Sequence, residues 1–205
     1  MTTRVRWMSV VLVGAVLATG GCSGEGDPPA GEPDRRTEAQ LTRALLKDGD
    51  LPGRFAPIPP DADAVGSGFE DVCQEPVPGD PDLLVGRGFA AGVSGTIGVT
   101  SVIAQYPTVA EAREVFEAIR TGWGECSDSD YDGLSFAMRP KDAPRVGEEA
   151  FGVKVELVSD IIAQTVQMYA LSGSTVVEAS AFGTYPDADF ASEALRTVMQ
   201  RLRTS

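Results

Sequence analysis

The sequence predicts an α+β domain, with an antiparallel sheet of about five to seven strands and packed helices in a two-layer sandwich. Two observations predict this class. Apolar residues alternate along several short segments separated by turns that contain Gly or Ser, which is typical of antiparallel strands. Three other segments repeat apolar residues every three or four positions behind capping residues, which is typical of helices. The hydrophobic content of 42% is enough for an ordinary core.

The first helix is predicted from a capping box. Thr37 can accept a hydrogen bond from the third helical N–H, and the side chain of Gln40 can reach back to it. Leu41 and Leu45 then share one face of the helix. A short strand is expected near Phe55–Ile58.

A hairpin and a second helix follow. Residues 88–92 and 96–106 are expected to pair around a turn at Ser94 and Gly95. Thr108 then begins a helix that is expected to end at its glycines, just before Cys126. Its apolar stripe consists of Val109, Ala112, Phe116, Ile119 and Trp123.

The remaining segments predict a meander and a terminal helix. Strands are expected over residues 134–138, 151–157, 161–171 and 175–182. Asp187 caps the last helix, which has one apolar side. That side consists of Phe190, Ala194, Leu195, Val198 and Leu202.

The composition excludes several functions. The 17 Lys and Arg against 30 Asp and Glu give a net charge of −13, which repels phosphate backbones and predicts no nucleic-acid partner. The acidity serves solubility or attracts a cationic partner. Because the chain has no histidine, Ser-His-Asp catalysis and His-ligated metal sites are excluded. Its three cysteines are too few for a four-thiolate zinc site.

The N-terminus has the pattern of an export signal. Arg4 and Arg6 precede an apolar run over residues 7–18, which is shorter than the roughly 20 residues of a membrane span, so residues 1–21 are predicted to be a signal peptide. Small residues and then Cys22 make this segment resemble a bacterial lipoprotein signal, although Thr19 stands where that family prefers leucine. The resemblance implies cleavage before Cys22 and lipid attachment to its sulfur. The alternative is a plain secreted protein with an unpaired Cys22.

The predicted lipid would anchor the protein in the cell membrane, facing the extracytoplasmic side. Residues 22–36 hold the lipidated cysteine and a Gly-, Pro- and acid-rich tether with almost no apolar residue. Such a tether has a root-mean-square reach of roughly 20 Å. Residues 37–205 are predicted to be a single domain.

Export also bears on the other two cysteines. With Cys22 lipidated, Cys73 and Cys126 are left as one pair in an oxidising compartment, so a disulfide between them is predicted. The bond would close a loop of about 54 residues and stabilise the fold by roughly 4 kcal/mol in the chain-entropy treatment.

Three segments carry a resemblance to a known family: LTRALLKDGDLPGRF, VIAQYPTVAEAREVFEAI, and the run from Trp123 to Cys126 with its flanking glycines. They resemble the extracellular sensor-type domain of PknH-like receptor serine/threonine kinases, which is also found on many actinobacterial lipoproteins. The resemblance implies a central antiparallel sheet, a cleft for an unknown ligand, and a non-catalytic binding or sensing role. Some members have two disulfides, whereas this chain can form only one from its remaining pair.

Candidate site residues are few, and no catalytic residue or cofactor is predicted. Trp123 lines a ligand cleft or belongs to the core, and the same alternatives hold for Tyr106, Tyr169 and Phe182 on predicted strands. The favoured partner is an unknown small molecule or envelope protein. The alternatives are a cell-envelope hydrolase with paired carboxylates, which would need two acids with raised pKa values in one cleft, and a structural lipoprotein with an exposed apolar patch.

The segment CSDSDYDG, at residues 126–133, resembles the start of a calcium loop. Asp128, Asp130, Asp132 and Gly133 match its positions 1, 3, 5 and 6, but Arg139 stands at position 12, where a glutamate should bind the ion. The aspartates are therefore predicted to form a polar turn beside the disulfide, and no metal site is predicted.

Overall fold

A computed structural model describes residues 35–51, 55–59, 69, 71–72, 75–92, 97–126, 130–131, 134–158, 163–184 and 186–205. The helices are α1 (Glu38–Ala44), α2 (Val109–Glu125) and α3 (Ala188–Leu202). The strands are β1 (Ala56–Pro57), β2 (Asp71–Val72), β3 (Glu75–Pro76), β4 (Leu83–Ala91), β5 (Ile97–Gln105), β6 (Asp130–Tyr131), β7 (Leu134–Lys141), β8 (Glu149–Val158), β9 (Ala163–Ser172) and β10 (Thr175–Gly183). None of the described helices is both long enough and apolar enough to cross a bilayer.

One antiparallel sheet dominates the fold. Within the described residues it has eight strands in the order β1-β4-β5-β10-β9-β8-β7-β6, while β2 and β3 pair separately. The predicted α+β class is thus confirmed. In the part of the chain that the structure describes, strands β1 and β6 at the two edges have two residues each, and the last strand, β10, lies in the middle between β5 and β9. Residues 32–205 form one compact unit that contains the whole sheet.

The helices cover both faces of the sheet, so the domain has three layers rather than the two that were predicted. Residues such as Ile103 and Val177 pack with α1 and α3, whereas their chain neighbours Val102 and Val176 pack with α2 on the other face. All four are at most 2% exposed. The sequence showed this as consecutive apolar residues in β5 and β10, which is the pattern of strands buried on both faces.

The two ends of the described domain lie together beside α1 and α3. The backbone N–H of Arg36 donates to Oε1 of Gln105 (2.8 Å), and Nη2 of Arg36 donates to the carbonyl oxygen of Leu202 (3.1 Å). In addition, Nε2 of Gln40 donates to the backbone oxygen of Ser205 (3.4 Å). The predicted capping box of α1 is present.

Helix α2 continues beyond its predicted end. Its N-cap is Thr108, whose side chain accepts from the N–H of Glu111 (3.1 Å), as predicted. The helix nevertheless runs through Gly122 and Gly124 to Glu125. A Cβ at Gly122 would lie 3.0 Å from Cγ1 of Val72, so this glycine permits close packing against β2 instead of ending the helix.

Candidate ligand site

A groove of about 300 Å³ lies between the C-terminal end of α2 and strands β7 and β8. We call it the Trp123 groove. Its lining includes five large apolar side chains and two cationic residues: Trp123, Met138, Pro140, Phe151, Val153, Arg120 and Arg139. Its volume is at the lower end of the range of small-molecule sites.

The periods of the helix and the strands bring these side chains together. Trp123 lies four residues after Ile119, on the face of α2 that packs against the sheet. Val153 of β8 is opposite Pro140 of β7, so both are on the α2 face. The intervening Arg139 therefore directs its guanidinium to the other face, where Nε is 3.7 Å from the Glu156 carboxylate.

Four aromatic rings form the floor of the groove and the layer beneath it. The Phe151 ring is stacked on Tyr169 at 4.9 Å between centroids and meets Phe116 edge-on at 5.2 Å. Trp123 donates its indole N–H to the hydroxyl of Tyr169 (3.4 Å), which donates to Oε1 of Gln167 (3.2 Å). Because these hydrogen bonds are internal, the groove presents a mainly apolar surface.

Charges at the rim tie α2 to the start of β8. Arg113 binds Glu148 (2.7 Å) and Glu149 (2.5 Å), and Arg120 binds Glu149 (3.2 Å) and Glu117. Exposed ion pairs stabilise a fold by about 0–1 kcal/mol each, so the network matters mainly for local charge. It neutralises Arg120 at the mouth of the groove.

A polar row lies on the same face of the sheet, beside this aromatic floor. Glu178 of β10 is 5% exposed and adjacent to Tyr169 of β9, and its Oε2 has no hydrogen-bond partner among the described residues. Burial raises the pKa of Glu178 to about 7. Burial also raises the pKa of Tyr169 well above its usual value, and the charge of Glu178 adds to this rise. Two residues further along β10, Ser180 and Thr100 are joined by a buried hydrogen bond of 2.6 Å.

A second cleft, of about 680 Å³, lies between α1 and the β1–β4 edge of the sheet. Its lining includes two cations, Lys47 and Arg87, and two acids, Glu38 and Asp48. Both acidic residues are exposed. Residues 52–54 and 60–68, on either side of the segment that contains β1, are outside the described residues.

The structure brings together three residues that the sequence analysis singled out. Trp123, Tyr169 and Cys126 all lie at the Trp123 groove, with Tyr169 fully buried beneath it. Tyr106 belongs to the core beside α2, and its hydroxyl has no partner among the described residues. Phe182 lies at the far end of β10, with its ring against Gly98.

The cysteines are only partly described. Cys126 is 8% exposed, and its sulfur is bonded in a disulfide. Cys22 and Cys73 both lie outside the described residues, so lipid attachment and the Cys73–Cys126 pairing stay predictions. The contact of Val72 with Gly122 places the neighbour of Cys73 close to the end of α2 and is consistent with that pairing.

Two residues of the segment that resembles a calcium loop, Asp130 and Tyr131, form β6 and pair with β7. Asp130 pairs with Ser135 and Tyr131 with Leu134, and β7 then continues through Arg139. In a calcium loop, by contrast, residues up to position 12 wrap around the ion. Asp128, Asp132 and Gly133 are outside the described residues.

Sequence reasoning missed the polar row and the rim network. Glu178 could have been noticed, because it is a lone acid between apolar neighbours in the predicted strand TVVEASAF. The pairing of Arg120 with Glu149 could not have been predicted from the sequence, because these residues are distant in the chain and meet only when α2 packs on the sheet.

No family model and no curated protein matches the chain. Among solved structures, the chain is similar to the extracellular domain of PknH from Mycobacterium tuberculosis, with a TM-score of 0.66 and 15% identity over 85% of this chain and 100% of that one. It also matches a putative uncharacterised protein, an Rv0999 orthologue from Mycobacterium smegmatis, with a TM-score of 0.45 and 12% identity over 84% of this chain and 98% of that one. The first similarity shows that the fold is that of the PknH extracellular domain, as the sequence resemblance implied.

Proposed function

We propose that this protein is a lipid-anchored, extracytoplasmic module that binds a ligand non-catalytically in the Trp123 groove. The observation that carries the proposal is an aromatic-floored groove on the α2 face of β7 and β8. A preformed concave site with apolar walls and few polar groups is typical of small-molecule binding. The shared fold supports the proposal, because the solved relative is an extracellular domain.

A binding role fits the carboxyl groups better than hydrolysis does. Paired-carboxylate hydrolysis requires two acids on either side of one substrate bond. Glu178, whose pKa is raised by burial, has Val102 and Tyr169 as its cross-strand neighbours and lies beneath the surface. Its position suits a structural or regulatory group more than an acid in contact with substrate.

Binding is tested by native mass spectrometry of the protein purified from its own membrane. Wild-type protein is expected to retain a ligand mass. Gly124→Phe should abolish it, because Gly124 lines the groove and a Cβ there meets no heavy atom within 4 Å, so the ring can enter the groove without disturbing the fold. Gly124→Ala is the matched control and should keep the ligand. Equal retention by both variants would place the ligand elsewhere and contradict the proposal.

The anchor is tested on the same sample. Intact mass should show cleavage before Cys22 and an added diacylglyceryl group, since the N-terminal segment has the pattern of a lipoprotein signal. An unmodified thiol at Cys22 would rule out the lipid anchor and leave a secreted protein.

We also propose that Cys126 is bonded to Cys73. The proximity of Val72 to the end of α2 supports this pairing. Peptide mapping without reduction should recover one cross-linked peptide that contains both cysteines. A cross-link from Cys126 to Cys22 would disprove the pairing and the lipidation together.

A further inference from the structure

We infer that the Trp123 groove selects an uncharged apolar group, an aromatic ring or a branched alkyl segment, and discriminates against anions. This inference rests on the proposed function, because it names the class of ligand that the same groove would take. Three features carry it: the size of the groove, the pairing of the Trp123 indole with the Tyr169 hydroxyl and the local charge.

The size limits the ligand. With about 30 Å³ for a water-sized group, the 300 Å³ groove holds about ten such groups. Phe151 on the floor and Trp123 on the wall offer flat surfaces, and Met138 adds a thioether that adapts to an irregular shape. A bicyclic ring or a short branched chain has this size.

The indole N–H of Trp123 and the hydroxyl of Tyr169 beneath the groove are already paired. Trp123 donates its only N–H to the Tyr169 hydroxyl, and that hydroxyl donates in turn to Gln167. A polar ligand group directed at this chain of hydrogen bonds would have to break one of them, which lowers affinity. Apolar contact is therefore the main source of affinity.

The charge of the groove disfavours anions. Two cationic residues line the groove, Arg120 and Arg139, and Arg120 binds both Glu117 and Glu149. Arg139 directs its guanidinium toward Glu156 on the opposite face. The whole chain carries a net charge of −13. A carboxylate or phosphate would thus compete with Glu117 and Glu149 for Arg120, or with Glu156 for Arg139, within a negative field.

Two probes with the same skeleton test this inference. 1-Aminonaphthalene is a neutral bicyclic amine at pH 7, and 5-aminonaphthalene-1-sulfonate adds one sulfonate to it. Both are titrated into the chain from Ser23 onward, which keeps the compact unit of residues 32–205 and has Trp123 as its single tryptophan. Energy transfer from Trp123 to the probe measures binding at the groove. The neutral probe should bind at least tenfold more tightly than the sulfonate.

Variants at Gly124 test where the neutral probe binds, and a variant at Glu149 tests why the sulfonate is disfavoured. Gly124→Phe should abolish binding of the neutral probe, and Gly124→Ala should keep it. Glu149→Gln removes one of the two carboxylates that neutralise Arg120. It should therefore improve binding of the sulfonate and reduce the difference in affinity between the two probes. Thermal melting of each variant checks that the fold is retained.

The outcomes separate the inference from the proposed function. Tighter binding of the sulfonate, abolished by Gly124→Phe, would overturn the inference and leave ligand binding in the groove intact. Failure of both probes to change Trp123 emission would also overturn the inference. The proposed function would then be decided by the native mass spectrometry, which detects any ligand that the membrane-purified protein retains. Probe binding that survives Gly124→Phe would show a different site and overturn the inference as well.

Discussion

Replacing Glu178 by glutamine should remove a pH-dependent loss of stability. The pKa of Glu178 is raised by burial from 4.5 to about 7 in the folded protein. Between these values the folded protein holds a proton that the unfolded chain has released, so the free energy of unfolding falls as pH rises through this window and is level above pH 7. With about 1.4 kcal/mol for each pKa unit, the total loss is about 3 kcal/mol.

The assay compares urea unfolding of wild type and Glu178→Gln at pH 5 and pH 8, followed by circular dichroism. Other carboxyls titrate as well, but their effects cancel in the difference between the two proteins. Glutamine has the same shape and no charge, so the variant should gain about 2 to 3 kcal/mol relative to wild type between pH 5 and pH 8. Glu114→Gln, which removes an exposed carboxyl from α2, controls for the change in net charge.

An identical free-energy difference at both pH values would refute this reasoning. It would mean that the folded protein stabilises the ionised carboxylate of Glu178 to the same extent as water does, through a partner outside the described residues. A variant that is less stable than wild type by the same amount at both pH values would refute it equally.

Two other predictions concern stability. Asp50 accepts paired hydrogen bonds from Arg201 (2.6 and 2.7 Å); Asp50→Asn removes the negative charge and one of these two bonds and should cost about 1–3 kcal/mol at pH 7 by urea unfolding. The bonds to Arg201 hold the pKa of Asp50 below its usual 3.8, so the loss in free energy of unfolding caused by Asp50→Asn should become smaller below pH 3.8. A loss that is the same at all pH values would contradict a contribution from the charge of Asp50. Gly147→Ala should unfold the protein at a clearly lower temperature than Gly173→Ala. Both glycines have positive φ, 69° and 57°, but only the new methyl at Gly147 would clash with the backbone oxygen of Leu171. Equal melting temperatures would disprove the importance of that clash.

Local signals predicted the elements well, because capping and periodicity depend on neighbouring residues. Thr37, Thr108 and Asp187 were all identified as N-caps from residues within one turn, and each caps its helix. The end of α2 was wrong because Gly122 looks like a helix stop, whereas it serves contact with the distant Val72. That contact has no local signature.

The site was predictable only in part for the same reason. Trp123 and Tyr169 stood out as aromatics on amphipathic segments, and both lie at the groove. Phe151 was noticed only as part of an alternating strand, because its stacking on Tyr169 depends on the register of β8 against β9. The number of layers was missed because alternation along the outer strands predicted a one-sided sheet, although the central strands are covered on both sides.

The meeting of the two chain ends has a practical consequence for handling this protein. Arg36 bonds to Leu202, and Ser205 follows three residues later, on the α1–α3 side of the sheet. A fluorescent label or affinity tag fused after Ser205 would therefore emerge next to the point where the N-terminal segment enters. Immobilisation through either end would attach the domain on its α1–α3 side and leave the α2 side, with the Trp123 groove, facing the solution.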